Sequence, residues 1–336
     1  MKGFQKVVVV FAMLFTIYYF GPNPAVPKYR LGFRPIPNTE KLDSFIEVNE
    51  AKHKIKPNNQ ARIIWANDSI KEKTEYSIVY LHGFSASQEE GNPVHRNIAK
   101  AFGCNLFLSR LAEHGIDTAE QLECLTVDKY WESAKEAFVV GKKLGNKVLL
   151  MGTSTGASMA LQLAATYPND VAGLILYSPN IEINDPNAWI LNNNWGLQIA
   201  RLVKGSYYND PSDERPIYKQ YWNKPYRLEA VVQLQEMIET AMHAKTFKNV
   251  RQPTLLLYYY KDAKHQDDLV KVSAMHRMFN QLATPKDKKV QKAMPLREKH
   301  VLASPIKSKD VERVERETKL FMQQILNMQI VADSLR

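Results

Sequence analysis

The stretch Lys147-Val-Leu-Leu-Met-Gly-Thr-Ser-Thr-Gly-Ala-Ser-Met-Ala-Leu-Gln-Leu-Ala-Ala-Thr-Tyr-Pro168 runs from an apolar burst into Gly152-Thr-Ser-Thr-Gly156 and then into a helical pattern. The change of period marks a strand that ends where a helix begins. A glycine two residues before the serine and another two residues after it permit that sharp turn, because neither carries a Cβ to clash. Such a turn lifts the Ser154 hydroxyl to the carboxyl edge of a sheet. The Thr155 N–H, at the head of the helix, then points with the helix dipole at an anion held beside Ser154. Gly-x-Ser-x-Gly between an apolar strand and a helix opening on Gly156, Ala157 and Ser158 is the signature of a nucleophilic serine. A tight turn with an inert serine is the competing reading.

A hydroxyl is a poor nucleophile unless a base takes its proton and a third group orients that base. Eight histidines compete. His300, in Arg297-Glu-Lys-His-Val-Leu-Ala303, precedes the closing helix, where a loop can reach the sheet edge. His276 lies in a charged helical pattern, and His265 sits in the loop assigned to the acid. His53, His95, His114 and His243 stand in polar contexts and read as surface residues. For the acid, Pro253-Thr-Leu-Leu-Leu-Tyr-Tyr-Tyr-Lys-Asp262 places Asp262 just past a strand end. Asp267 and Asp268 are the runners-up and read as the acidic first turn of the next helix. A second anion donor is expected after an early strand. Tyr80-Leu-His-Gly-Phe-Ser-Ala86 supplies it, with Gly83 freeing the backbone so that the Phe84 N–H faces the oxyanion. His82 reads as a hydrogen-bonding residue beneath that loop.

Working outward, strand-like runs (Arg62–Trp65, Ser77–Leu81, Asn105–Leu108, Val148–Met151, Ala172–Tyr177, Thr254–Tyr260) alternate with helical ones (Glu89–Phe102, Thr126–Leu144, Gly156–Tyr167, Asp267–Leu282, Val311–Met328). Several of the strands are continuously apolar, which implies a mostly parallel sheet covered by helices on both faces. Residues 184–248 break the rhythm. They hold no clear strand but carry Trp189, Trp195, Tyr207, Tyr208, Tyr221 and Trp222, too many large aromatics for a solvated connector. We read them as an insertion over the sheet whose rings line a substrate cavity; a helix pair packed into the main core is the alternative.

Leu81-His-Gly-Phe84, Gly152-Thr-Ser-Thr-Gly156, Pro253-Thr-Leu-Leu-Leu257 with Asp262, and His300-Val301 together resemble the α/β-hydrolase superfamily over nearly all of residues 50–330. The match is to its capped carboxylesterase and monoacylglycerol-lipase-like branch, which carries the serine-aminopeptidase-type hydrolase domain. The chain order serine–acid–histidine is also that of α/β-hydrolases. The resemblance implies an α/β-hydrolase core at 50–183 and 249–330, with 184–248 as a helical cap. It makes Ser154 the nucleophile, His300 the base and Asp262 the orienting acid, with the amides of Phe84 and Thr155 as the oxyanion hole. Tyr258-Tyr-Tyr260 departs from the small, often glycine-containing exit of that strand in the family, and Thr153 and Thr155 replace bulkier residues.

The 336 residues, 45% hydrophobic and 24% charged, can bury a substantial core. The net charge of +10 is scattered rather than gathered into a block interleaved with aromatics, so nucleic acid is not an expected partner. Cys104 and Cys124 exclude a disulfide framework and a cysteine-built zinc site; Cys104, in an apolar run, reads as a buried free thiol, and spacing does not decide whether the two pair. At the N-terminus, Lys2 and Lys6 precede Val7–Phe20, an uncharged apolar run. We read residues 1–27 as a membrane anchor, or alternatively a cleaved signal, that places the catalytic domain outside the cytoplasm. Prolines 22, 24, 27, 35 and 37 make the following chain extended, and residues 28–49 read as a linker.

The expected function is a serine hydrolase cleaving a carboxylic ester with an apolar or lipid-like acyl group. Amide, peptide or thioester cleavage and acyl transfer use the same constellation. A non-catalytic hydrolase-fold binding protein is the alternative of another class. No metal site, nucleotide-binding loop or flavin fingerprint accompanies the serine, so no cofactor is expected. The sequence leaves the oligomeric state open.

Overall fold

The computed structural model of the chain describes residues 2–295 and 300–331. In chain order the elements are α1 (Lys2–Tyr19), α2 (Leu42–Glu50), β1 (Arg62–Ile64), β2 (Thr74–Leu81), α3 (Val94–Ala101), β3 (Asn105–Leu108), α4 (Val127–Leu144), β4 (Gly145–Thr153), α5 (Thr155–Thr166) and β5 (Val171–Tyr177). An insertion follows with α6 (Gly196–Lys204), β6 (Tyr208–Asn209), α7 (Pro216–Tyr221), β7 (Tyr226–Arg227) and α8 (Leu228–Ala241). The chain then returns through α9 (Ala244–Asn249), β8 (Thr254–Tyr259), α10 (Val272–Gln281), β9 (Lys289–Met294) and α11 (Val311–Gln324).

Seven strands form one sheet in the order β1-β3-β2-β4-β5-β8-β9, parallel throughout except for β1. Its strands are apolar on both faces because each alternate residue meets a different helical layer. Val79, Leu81, Leu150, Leu176 and Leu256 pack with residues of α4, α5 and α8 to α10. Ile78, Tyr80, Leu149, Met151, Ile175 and Leu257 pack with residues of α3 and α11 on the other side. The edge strand β9, Lys-Val-Gln-Lys-Ala-Met, is absent from the sequence reading: its lysines and half-exposed residues hide the strand pattern, and an edge needs burial on fewer sides.

Two expectations change at the N-terminal side. Residues 28–49 are not a free linker. Lys135 donates to the carbonyls of Arg30 and Gly32 at 2.6 and 2.7 Å, Tyr167 to that of Leu31 at 2.6 Å, and α2 buries Leu42 and Ile46 in the main core. The helix expected over 89–102 starts only at Val94, preceded by a 3-10 turn at Gln88–Gly91. α1 is a separate rod whose apolar side chains are exposed. Trp195 Nε1 donates to Ile17 O at 2.9 Å, and Asn194 Nδ2 to the carbonyls of Tyr18 and Tyr19, which satisfies the helix's last carbonyls. Among the described residues no helix is long and apolar enough to cross a membrane. Both cysteines are free, Cys104 buried and Cys124 exposed.

Candidate active site

Ser154 joins β4 to α5 with φ 54° and ψ −122°, a left-handed-side conformation that costs a non-glycine residue of order 1–3 kcal/mol. The neighbours enforce it. A Cβ on Gly156 would lie 2.0 Å from the Leu81 carbonyl oxygen, and one on Gly152 would lie 2.7 Å from the Ala157 nitrogen. Two close backbone approaches therefore exclude side chains at both glycines, as the motif implies. The serine is anchored by its own amide, which donates to Tyr177 O at 2.9 Å, and remains 7% exposed.

The loop after β2 is held from below by two neutral histidines. His82 Nε2 accepts the Leu111 N–H at 3.0 Å, so Nδ1 donates to Gly83 O at 2.9 Å. His114 Nε2 accepts the Ser85 N–H at 3.0 Å, so Nδ1 donates to Ala112 O at 2.8 Å. Burial pushes His82 well below the ordinary imidazole value and His114 down to about 4, which keeps both uncharged. His82 thus has the supporting place expected of it. His114 and His95 do not lie on the surface: both are fully buried, the second with Nε2 on Gln88 O at 2.8 Å. Among the described residues, the amides of Phe84 and Thr155 donate to no group of the chain.

The carboxylate that contacts His300 is not the one expected. His300 Nδ1 donates to Asp267 Oδ2 at 2.7 Å, with the histidine 9% exposed and the aspartate fully enclosed. Asp267 Oδ1 accepts the amides of Leu269 and Val270 at 3.0 and 3.2 Å, which fixes the carboxylate. Asp262 lies elsewhere. Beyond β8 the chain forms a tight ribbon closed by the Tyr260–Gln266 bridge, and Asp262 sits at its tip, half exposed, paired with His265 Nδ1 at 2.8 Å. The ribbon carries residue 262 away from the sheet edge and brings 267 back to it, the Asp267 amide donating to Tyr259 O at 3.3 Å. The acidic pair is not a helix start either, since α10 begins at Val272. Desolvation alone would depress His300, but the Asp267 charge and hydrogen bond, with help from Glu90, lift it above its ordinary 6.5.

The insertion reaches this site through one segment. Tyr218 and Trp222, stacked with centroids 4.9 Å apart, pack with Ala86 and Val301, and Tyr221 borders that cluster. The Asn223 amide donates to Ser85 O at 2.6 Å, and Tyr226 meets Phe84 edge-on at 5.3 Å. Of the six aromatics expected to line a cavity, Tyr221 and Trp222 are here. Trp195 instead holds the end of α1, and Trp189 is exposed. Tyr207 lies under the guanidinium groups of Arg201 and Arg227, while Tyr208 donates to Glu120 Oε1 at 2.7 Å. Tyr218 and Tyr226, two further aromatics of the same insertion, were not among the six. A groove of about 860 Å³ lies apart from these residues, between the 28–34 segment, α2 and α4, and is lined by a mixture of charged and apolar side chains.

Comparison with known proteins agrees with this architecture. No curated protein matches the sequence. Among solved structures, one of the two metagenome-derived lipolytic enzymes LipS and LipT superposes with a TM-score of 0.63 at 14% identity, over 80% of this chain and 99% of the other. The monoacylglycerol lipase of Paleococcus ferrophilus gives 0.59 at 14% identity, over 79% and 98%. Est1E from Butyrivibrio proteoclasticus, with ferulic acid bound, gives 0.54 at 18% identity, over 80% and 95%. These likenesses establish a shared fold. The family model of the serine aminopeptidase S33 hydrolases matches residues 77–295, which span the serine turn, the Gly83 loop and Asp267, and the chain belongs to that α/β-hydrolase family.

Proposed function

We propose that the chain is a serine hydrolase that cleaves a carboxylic ester through an acyl-enzyme on Ser154, with His300 as base and Asp267 as its orienting acid. The observation that carries this reading is the buried Asp267–His300 hydrogen bond at the same sheet edge as a serine of positive φ. Asp267 keeps the imidazole proton on Nδ1, so the Nε2 lone pair is free to take the proton of Ser154 Oγ. The alkoxide adds to the ester carbonyl, and the amides of Phe84 and Thr155 receive the charge that develops on its oxygen. The imidazolium then protonates the departing alcohol. Water repeats the sequence on the acyl-enzyme and restores the serine.

Tyr218, Trp222, Tyr226 and Phe84 form an aromatic wall beside the site, which suits an apolar acyl group. The lipolytic and esterase neighbours support an ester over an amide or thioester. The exposed apolar run Val7–Phe20 of α1 fits a bilayer surface. Its fourteen residues rise about 21 Å, against roughly 30 Å of hydrocarbon, so we assign it as a surface tether. Purified protein should hydrolyse p-nitrophenyl butyrate with a pre-steady-state burst, and Ser154→Ala should abolish both phases. Turnover by Ser154→Ala near that of the wild type would refute the reading.

A further inference from the structure

A buried carboxylate that this chemistry leaves unused lies against the same turn. Glu90, 2% exposed, belongs to the 3-10 turn Gln88–Gly91, and its Oε2 accepts the Gly83 N–H at 2.6 Å. A Cβ placed on Gly83 would meet Glu90 Oε1 at 2.9 Å, Oε2 at 3.0 Å and the Ser154 Cβ at 3.1 Å. The carboxylate and the serine therefore flank one glycine, the residue just before the Phe84 amide. Tyr80 on β2, Tyr130 on α4, Tyr218 on α7 and His300 feel its charge. Burial lifts all three phenols, which stay neutral, so His300 is the partner in this set able to become a cation. Glu89 is turned away onto Asn92 Nδ2 at 2.7 Å. Burial pushes the Glu90 carboxyl up to about 7, against the pull of the Gly83 amide and His300.

A carboxylate this enclosed with one amide donor is costly unless a positive charge offsets it. His300 provides that charge at the moment it takes the serine proton. Three carboxylates act on the imidazole, Asp267 in direct contact at Nδ1 and Glu90 and Asp268 through their charge at longer range. Building on the triad chemistry above, we propose that Glu90 is a positioning residue with two effects: it clamps the oxyanion loop through the Gly83 amide, and it serves as a second counter-charge for His300.

Two variants separate these effects. Glu90→Gln keeps a carbonyl oxygen for the Gly83 N–H and removes the charge, whereas Glu90→Leu removes both. Each is measured beside the wild type as kcat/KM against pH with p-nitrophenyl butyrate, and as the rate and stoichiometry of fluorophosphonate labelling. Glu90→Gln should move the acid limb to lower pH by roughly half a unit or more, because an anion that held the imidazolium is gone. Glu90→Leu should label at least about tenfold more slowly than Glu90→Gln, as expected when one oxyanion-loop contact is lost. An acid limb in Glu90→Gln that superimposes on the wild type, with full labelling stoichiometry, overturns the inference and leaves the hydrolase reading intact. A wild-type protein that takes no label on Ser154 overturns both.

Discussion

Replacing Asp267 by asparagine isolates what this carboxylate does for the imidazole. Oδ1 accepts the Leu269 and Val270 amides, and Oδ2 accepts His300 Nδ1–H at 2.7 Å. Asparagine keeps an oxygen for the two amides, so the turn retains its shape. Its Nδ2 group then faces His300 Nδ1, which must accept instead of donate. The ring proton moves to Nε2, and the lone pair that takes the serine proton is lost. A tautomer change of this kind costs about 10⁴-fold in kcat in the trypsin-type triad, or about 5.4 kcal/mol at 1.36 kcal/mol per decade. Asp262→Asn, by contrast, alters a half-exposed turn pair with His265 and should stay within about twofold, as surface changes do. The assay is kcat/KM for p-nitrophenyl butyrate at pH 8, with circular dichroism and thermal melts on every variant to show intact folding. A loss in Asp262→Asn that exceeds the loss in Asp267→Asn would refute the reasoning.

Gly156→Ala should lower the melting temperature steeply or prevent folding, since its methyl would sit 2.0 Å from the Leu81 carbonyl oxygen; a melt within a degree of wild type would show that the turn relaxes. Trp222→Ala should change the acyl chain-length preference across a p-nitrophenyl ester series, and Tyr207→Ala, which removes a ring stacked on two arginines, should not. For Glu90 the folded value, about 7, exceeds the ordinary 4.5. Its contribution to stability is therefore fully present below pH 4.5 and is lost as pH rises through 7. The stability of Glu90→Gln relative to wild type should improve between pH 5 and pH 8, by on the order of 2–3 kcal/mol. Urea midpoints at the two pH values check this, and an unchanged difference would contradict it.

What could be read from the sequence was what local geometry dictates. Gly152 and Gly156 are required wherever this turn occurs, because backbone atoms occupy their Cβ positions, so Ser154 stood out from sequence alone. The apolar strands were legible because both faces are covered. Asp267 was legible only as a runner-up to Asp262. Its role depends on a seven-residue ribbon, from Tyr260 to Gln266, that carries Asp262 out and Asp267 back, and an acidic pair ahead of a helical pattern looks like a first turn. The aromatics of the insertion were legible as residue types, but which of them pack against Ala86 and Val301 was not. A tryptophan can equally well cap the end of another helix, as Trp195 does for α1, and a tyrosine can lie beneath arginines, as Tyr207 does. Glu90, next to Glu89 in a polar run, carries no periodic signal of burial. Only the fold of the Gln88–Gly91 turn brings it to Gly83.

An activated Ser154 should be captured covalently by a reagent that ordinary serines ignore. Native protein is treated with a fluorophosphonate, digested, and mapped by tandem mass spectrometry, with Asp267→Asn treated in parallel. A single phosphonyl adduct is expected on Ser154, formed stoichiometrically in the wild type and far more slowly in Asp267→Asn. An unmodified Ser154, or an adduct that forms at the same rate in both proteins, would contradict that activation.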